Sequence, residues 1–228
     1  MNAPELSYEI RRPSARPSLN GTVEGSIWAE AAVAEVAEFH ANSTEHRPRT
    51  EVRVLHDERG VYVRFDVDDR YVRCVHDGNQ QAVCRDSCVE WFVQPKADRG
   101  YFNFETNCGG AILLSYIEDH RPAPEGGFRA CTYVADHWLE RIELHHTMPK
   151  IVEPEVAHDV HWTNAYFVPR ELFEAHVGPL GELSGQTWRG NFYKCGDRTS
   201  HPHWASWAPI GRRLAFHRPE YFAAMRLV

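Results

Sequence analysis

Asp86-Ser87-Cys88-Val89-Glu90-Trp91-Phe92-Val93-Gln94-Pro95 and Tyr101-Phe102-Asn103-Phe104-Glu105-Thr106-Asn107, joined by a turn over Lys96 to Gly100, decide the fold class. Successive side chains of a strand point to opposite faces, so every second residue shares a surroundings. Val89, Trp91 and Val93 then lie on one face of the first run. Cys88, Glu90, Phe92 and Gln94 lie on the other. In the second run Phe102, Phe104 and Thr106 oppose Tyr101, Asn103, Glu105 and Asn107. Pro95, which cannot donate to a strand ladder, closes the first strand. Glu90 and Glu105 thus fall on consecutive strands.

The same period continues outward in both directions. Glu51 to Leu55 alternates, and after the turn Asp57-Glu58-Arg59-Gly60 so does Val61 to Val67, which reads as a hairpin. Gly109-Gly110 turns the chain into a strand from Ala111 to Ile117, and residues 118–130, rich in Pro and Gly, read as a loop. Further strands are expected at Trp138 to His146, Trp162 to Val168, Thr187 to Cys195 and Phe222 to Leu227. Pro169 stops one of them and suits the first turn of a short helix. Ser26 is expected to cap a helix running from Ile27-Trp28 to Ala37. Residues 1–18 read as an extended N-terminal arm ahead of the turn Leu19-Asn20-Gly21. Many short strands joined by turns predict one all-β domain over residues 19–228, an antiparallel two-sheet sandwich of the immunoglobulin or jelly-roll kind with short helices.

Composition narrows the function. The 228 residues carry a net charge of −7, with Lys and Arg scattered, so a basic stripe for nucleic acid is absent. No apolar run approaches the roughly 20 residues of a membrane helix. The N-terminus has no secretory pattern, which places the protein in the cytoplasm, or outside the cell if an export segment has been removed. Seven Trp, nine Tyr and eleven Phe suit both a β core and flat binding faces. The six cysteines include no CxxC pair, and buried free thiols are expected rather than a metal site. No nucleophile elbow, phosphate loop, zincin motif or dinucleotide fingerprint is present.

Taken in order, several segments resemble the carbohydrate-binding modules of family 9 and their bacterial relatives. They are Leu19-Asn20-Gly21 with Trp28, Thr50 to Leu55 with Gly60 to Val63, Asp86 to Phe92, Tyr101 to Asn107 with Gly109, and Trp162 to Pro169. Trp188-Arg189-Gly190-Asn191-Phe192, Trp204 to Pro209 and Phe216 to Phe222 complete the set. The resemblance implies a DOMON-like sandwich that grips the end of a glucan or xylan chain between two Trp side chains, with polar groups on the hydroxyls and structural calcium nearby. Glu90 matches the family's strand glutamate. One sandwich tryptophan is replaced by Cys84, and Trp207, with Trp204 beside it, stands for the other. Glu105 occupies the position of the family's sugar-binding arginine.

The expected ligand set is therefore Glu90, Glu105, Asn107, Arg189, Asn191, Trp204 and Trp207, for a non-catalytic protein whose partner is a carbohydrate. Asp66, Asp68 and Asp69 offer oxygen ligands for calcium at a strand end. Other readings stay open. Glu90 and Glu105 would be the acid and base of a glycoside hydrolase. Met148 with a histidine would hold a haem in a redox sandwich. His201 and His203 with Cys195 would bind zinc. With Cys84 in a tryptophan's place, the domain would be an interaction scaffold with a decayed sugar site.

Overall fold

A computed structural model describes residues 6–228; residues 1–5 of the expected arm lie outside the described part. The strands are, in order, β1 (Ser7–Ile10), β2 (Ala34–Glu35), β3 (Glu38–Phe39), β4 (Arg49–Asp57), β5 (Gly60–Asp69), β6 (Val72–Cys74), β7 (Cys88–Gln94), β8 (Tyr101–Asn107), β9 (Ile112–Pro122), β10 (Phe128–Tyr133), β11 (Glu143–His146), β12 (Val152–Val156), β13 (Val160–Pro169), β14 (Thr187–Cys195), β15 (Trp204–Ser206) and β16 (Ala223–Leu227). Two helices, α1 (Asp136–Leu139) and α2 (Arg170–Val177), join them. Among the described residues no helix is long and apolar enough to cross a membrane.

The strands form the expected sandwich. One sheet runs β1-β16-β14-β7-β8-β9-β10, with β15 pairing β14 and β3 pairing β15. The other runs β11-β13-β5-β4-β2, and β12 with β6 makes a small ribbon. The alternation read from the sequence sets which faces meet. Val89, Trp91, Val93, Phe102 and Phe104 of the first sheet pack against Val61, Val63, Phe65 and Val67 of the second in one continuous core. Burying such side chains contributes about 1.5–3 kcal/mol each.

The outer faces are covered too. Trp28 and Ala31 pack on Leu55, Tyr62 and Phe167 outside the second sheet. The C-terminal segment, through Ile210 and Phe222, covers Phe92, Tyr101 and Tyr193 outside the first. This second cover creates the site described below.

Several local expectations change. Ser26 does cap a turn, its side chain accepting from the Trp28 amide, but only a 3-10 turn over Ile27–Glu30 follows. Ala34 then pairs with Val52 as an edge strand; sheet pairing and the β-branched Val33 and Val36 outweigh the helix propensity of the alanines. Trp138 sits in α1, and only Glu143–His146 of that stretch is a strand. Most of the expected loop over 118–130 is strand, since β9 extends to Pro122 and β10 begins at Phe128. Within residues 1–18, Ser7–Ile10 joins the first sheet as a parallel partner of β16, with Tyr8 and Ile10 in the core.

Gly60 shows how tightly the β4–β5 turn packs. Its φ is +156°, and a Cβ there would lie 2.1 Å from the Val168 carbonyl oxygen. That neighbour is backbone and cannot swing aside. Gly60→Ala is expected to destabilise by about 1–3 kcal/mol in urea unfolding; an unchanged midpoint would mean that the hairpin is free to shift.

Candidate functional site

The outer face of the first sheet presents two parallel rows of side chains, fixed by strand register. One row crosses β15, β14, β7 and β8 as Trp204, Cys195, Cys88 and Asn107. The next crosses as Ser206, Tyr193, Glu90, Glu105 and, on β9, Leu113. Cross-strand neighbours hold their Cβ atoms about 4.5–5.5 Å apart, so Glu90 and Glu105 stand side by side.

The segment 214–217 passes over part of these rows and encloses a pocket of about 340 Å³. It is lined by Cys84, Glu90, Glu105, Cys195, Asp197, Trp204, Leu214, Ala215, Phe216 and His217. The overlying segment is tied down from below. The Tyr193 hydroxyl donates to the Phe216 carbonyl at 3.1 Å, and the Tyr101 hydroxyl shares a hydrogen bond with His217 Nδ1 at 2.9 Å. Phe216 stacks on Tyr193 with ring centroids 4.2 Å apart. Trp204 is partly exposed, and its indole N–H donates to Asp197 Oδ1 at 2.7 Å. That bond fixes the ring as one wall of the pocket.

The floor is acidic but short of cations. Glu90 and Glu105 are buried, and neither forms an ion pair among the described residues. Burial, and then the neighbouring Glu105, hold the Glu90 carboxyl well above the usual carboxylate range. Burial pushes Glu105 up to about 7, although Asn103 Nδ2 donates to its Oε1 at 2.7 Å. Asp197 is raised by burial, with the Trp204 hydrogen bond pulling the other way. Burial, and then His120, lower His217 to about 4, so its ring is neutral near pH 7. The floor therefore offers carboxyl groups that both donate and accept hydrogen bonds. That is what neutral hydroxyls require of a desolvated partner.

The structure divides the seven expected ligand residues. Glu90, Glu105 and Trp204 meet in the pocket. Trp207 lies one residue past β15 and packs against the main core, edge-on to Tyr8 at 6.0 Å and tilted against Phe192 at 5.6 Å. Asn191 spends its side chain on the amide and carbonyl of Ala208, which anchors the chain beyond β15. Arg189 donates to the Phe222 carbonyl. Asn107 is fully buried, donating to the His76 carbonyl and to Asp86 while accepting from the Ala111 amide. These four hold the scaffold and do not line the pocket. Asp197, Phe216 and His217 line it and carried no periodic signal; the pairing of the tail with Tyr193 and Tyr101 brings them there.

The aspartates do not fit calcium. Asp66 is gripped by the Arg64 and Arg53 guanidinium groups. Asp68 meets His161 and Arg49. Asp69 faces inward to Lys194 and His46. Calcium needs several carboxylate or carbonyl oxygens converging on one point, and here each carboxylate already answers a cation of the chain. The other metal and haem readings also part. His203 turns to Lys194 on the inner face, His201 stacks on Tyr71 at 3.6 Å, and Cys195 lies on the outer face. Met148 packs against the main core, and its carbonyl meets His146 Nδ1.

The sequence matches carbohydrate-binding family 9 over residues 25–227. Among solved structures, a candidate carbohydrate-binding protein of Bacteroides uniformis is 27% identical, covers 98% of this chain and 100% of its own, and superposes with a TM-score of 0.84. A family 9 module of Caldicellulosiruptor kristjanssonii in complex with glucose is 13% identical, with 96% and 95% of the two chains covered and a TM-score of 0.58. The same kind of module in complex with cellotriose is 14% identical, with 97% and 93% covered and a TM-score of 0.58. No curated protein matches the chain.

Proposed function

Since the chain belongs to carbohydrate-binding family 9, we propose that it is a non-catalytic sugar-binding protein, and that its pocket takes a terminal sugar of a glucan- or xylan-type chain. The observation that carries this reading is the pairing of one aromatic wall, Trp204, with the polar floor of Glu90 and Glu105 in one pocket. A pyranose has a C–H face that an indole covers and a rim of hydroxyls that the carboxyls answer. Cys84, where the family's second tryptophan is expected, lines the same pocket and cannot stack on a ring. Phe216, carried in by the tail, also lines the pocket, and we assign it the second stacking role. The site so read is remodelled rather than lost.

The position of the glutamates argues against hydrolysis. A glycosidase places its acid and its base or nucleophile on either side of the scissile bond. Glu90 and Glu105 are neighbours on one sheet surface and meet a ligand from the same side.

Calorimetric titration with glucose, xylose, cello-oligosaccharides and xylo-oligosaccharides tests the proposal. Binding is expected for at least one of these ligands. Trp204→Ala is expected to weaken it at least about tenfold, the loss of one stacking face, with the far-UV circular dichroism unchanged. Absence of heat with all four at millimolar ligand would sink the proposal and favour the interaction-scaffold reading.

A further inference from the structure

We propose that Cys88, Glu90 and Cys195 form a binding site for a thiophilic divalent cation, zinc by its chemistry, in the sheet surface beneath the pocket. Strand register puts Cys88 and Cys195 directly opposite each other on β7 and β14, with Glu90 two residues further along β7 on the same face. One ligand atom from each of the three lies within 4.8 Å of both others, and all three residues are buried. Cys195 Sγ stands 3.2 Å from Glu90 Oε1.

Those spacings suit one metal. Tetrahedral zinc with sulfur at about 2.3 Å and oxygen at about 2.0–2.2 Å has ligand-to-ligand edges of roughly 3.4–3.8 Å. No edge of the observed triangle exceeds 4.8 Å, within about 1 Å of that size. Two sulfurs select zinc over calcium or magnesium, and the carboxylate complements its charge. Cys88 and Cys195 form the terminal pair of the β7–β14 ladder and Glu90 lies inside β7, so strand register sets the three before a metal arrives. Glu90 is the second, independent sign. It is a buried carboxyl that forms no ion pair among the described residues, its side-chain hydrogen-bond partner there being a thiol. Glu90 and Cys195 also line the pocket, which gives the ion a route in and leaves the fourth coordination position to water. The other buried thiol pair, Cys74 and Cys108, has no carboxylate in an equivalent position among the described residues.

The test uses the full chain, freed of metal by chelator and kept reduced, with cobalt(II) as a spectroscopic probe and zinc(II) as competitor. One cobalt per chain is expected, with the charge-transfer bands of thiolate ligation and the visible bands of a tetrahedral ion, both abolished by stoichiometric zinc. The Cys88→Ser/Cys195→Ser variant is expected to bind zinc at least about 100-fold more weakly, while Cys131→Ser, which alters an exposed thiol, binds as the parent does. Cobalt binding without thiolate bands overturns the proposal, even if the double variant fails to fold. So do thiolate bands that survive in a folded double variant, and so does a Cys88–Cys195 disulfide whose reduction yields no metal binding. Sugar titration of Trp204→Ala reads a different property, so either reading fails alone.

Discussion

Lys194→Met is expected to destabilise the protein by about 3–5 kcal/mol, because it strands a buried carboxylate. β14 alternates, and Lys194 falls on its inner face, opposite Val89 of the core. Its side chain is fully buried. The ammonium is 3.2 Å from Asp69 Oδ2, 2.8 Å from His203 Nε2 and 3.1 Å from the Cys195 carbonyl. Asp69 in turn accepts from His46 at 2.8 Å, from the Trp162 indole at 3.1 Å and from the Arg70 amide at 2.7 Å. Burial alone raises such a carboxyl; Lys194 and then His46 outweigh it and hold Asp69 well below the usual range. Methionine keeps the length of the lysine stem and removes its charge, so the loss reports the stranded carboxylate. Lys194→Met/Asp69→Asn is expected to recover most of it, since replacing both charges is far cheaper than removing one. Urea unfolding of the wild type, both single variants and the double variant gives the coupling energy. A coupling near zero would show that the pair is screened and that the lysine acts by packing alone.

Lys194 also marks where sequence reading stops. Alternation in Cys88–Gln94 and Tyr101–Asn107 suffices to place Glu90 and Glu105 on one face, because a period of two has only two phases. The same logic puts Trp91 and Phe104 in the core. It says nothing about which partner a buried charge finds, and Asp69 reaches Lys194 only through the stacking of two sheets. The tryptophans of the tail are a second case. Trp204 and Trp207 lie close in sequence and look equivalent, yet only Trp204 is inside β15, where pairing with Cys195 turns it outward. Trp207, beyond the strand, follows the backbone back to the core. The strand is three residues long, too short to show a period. The cover over the pocket, Leu214 to His217, has no regular structure and is held by Tyr193 and Tyr101 from a distance. The Cys88 and Cys195 pair has no motif spacing because register, not proximity in sequence, unites them.

Glu105→Gln is expected to make the protein more stable at alkaline pH and poorer at binding sugar, and the two effects together argue that the glutamate is kept for a ligand. A carboxyl raised to about 7 in the fold, against an unfolded value near 4.3, binds its proton more tightly when folded. It therefore destabilises the fold above pH 7, and that burden is relieved as pH falls from 7 towards about 4.3. Each unit is worth about 1.4 kcal/mol, so the wild type should fall below Glu105→Gln by about 4 kcal/mol at pH 8.5, with the gap narrowing to about 1 kcal/mol near pH 5. The comparison between the two proteins is needed because other groups titrate in the same window with the opposite sign. Burial and then Lys194 lower His203 to about 3, and burial and then His120 lower His217 to about 4. Their contribution is present above the unfolded value of about 6.5 and is lost as pH falls towards the folded values, and it cancels between wild type and variant. Urea midpoints from pH 5 to 8.5, taken with chelator present so that no metal biases Glu90, give the difference directly. The amide keeps an acceptor for the Asn103 side chain, so a loss of stability at every pH would mean that the carboxyl serves packing. A gain at high pH, paired with weaker sugar binding, leaves recognition as the reason for burying Glu105.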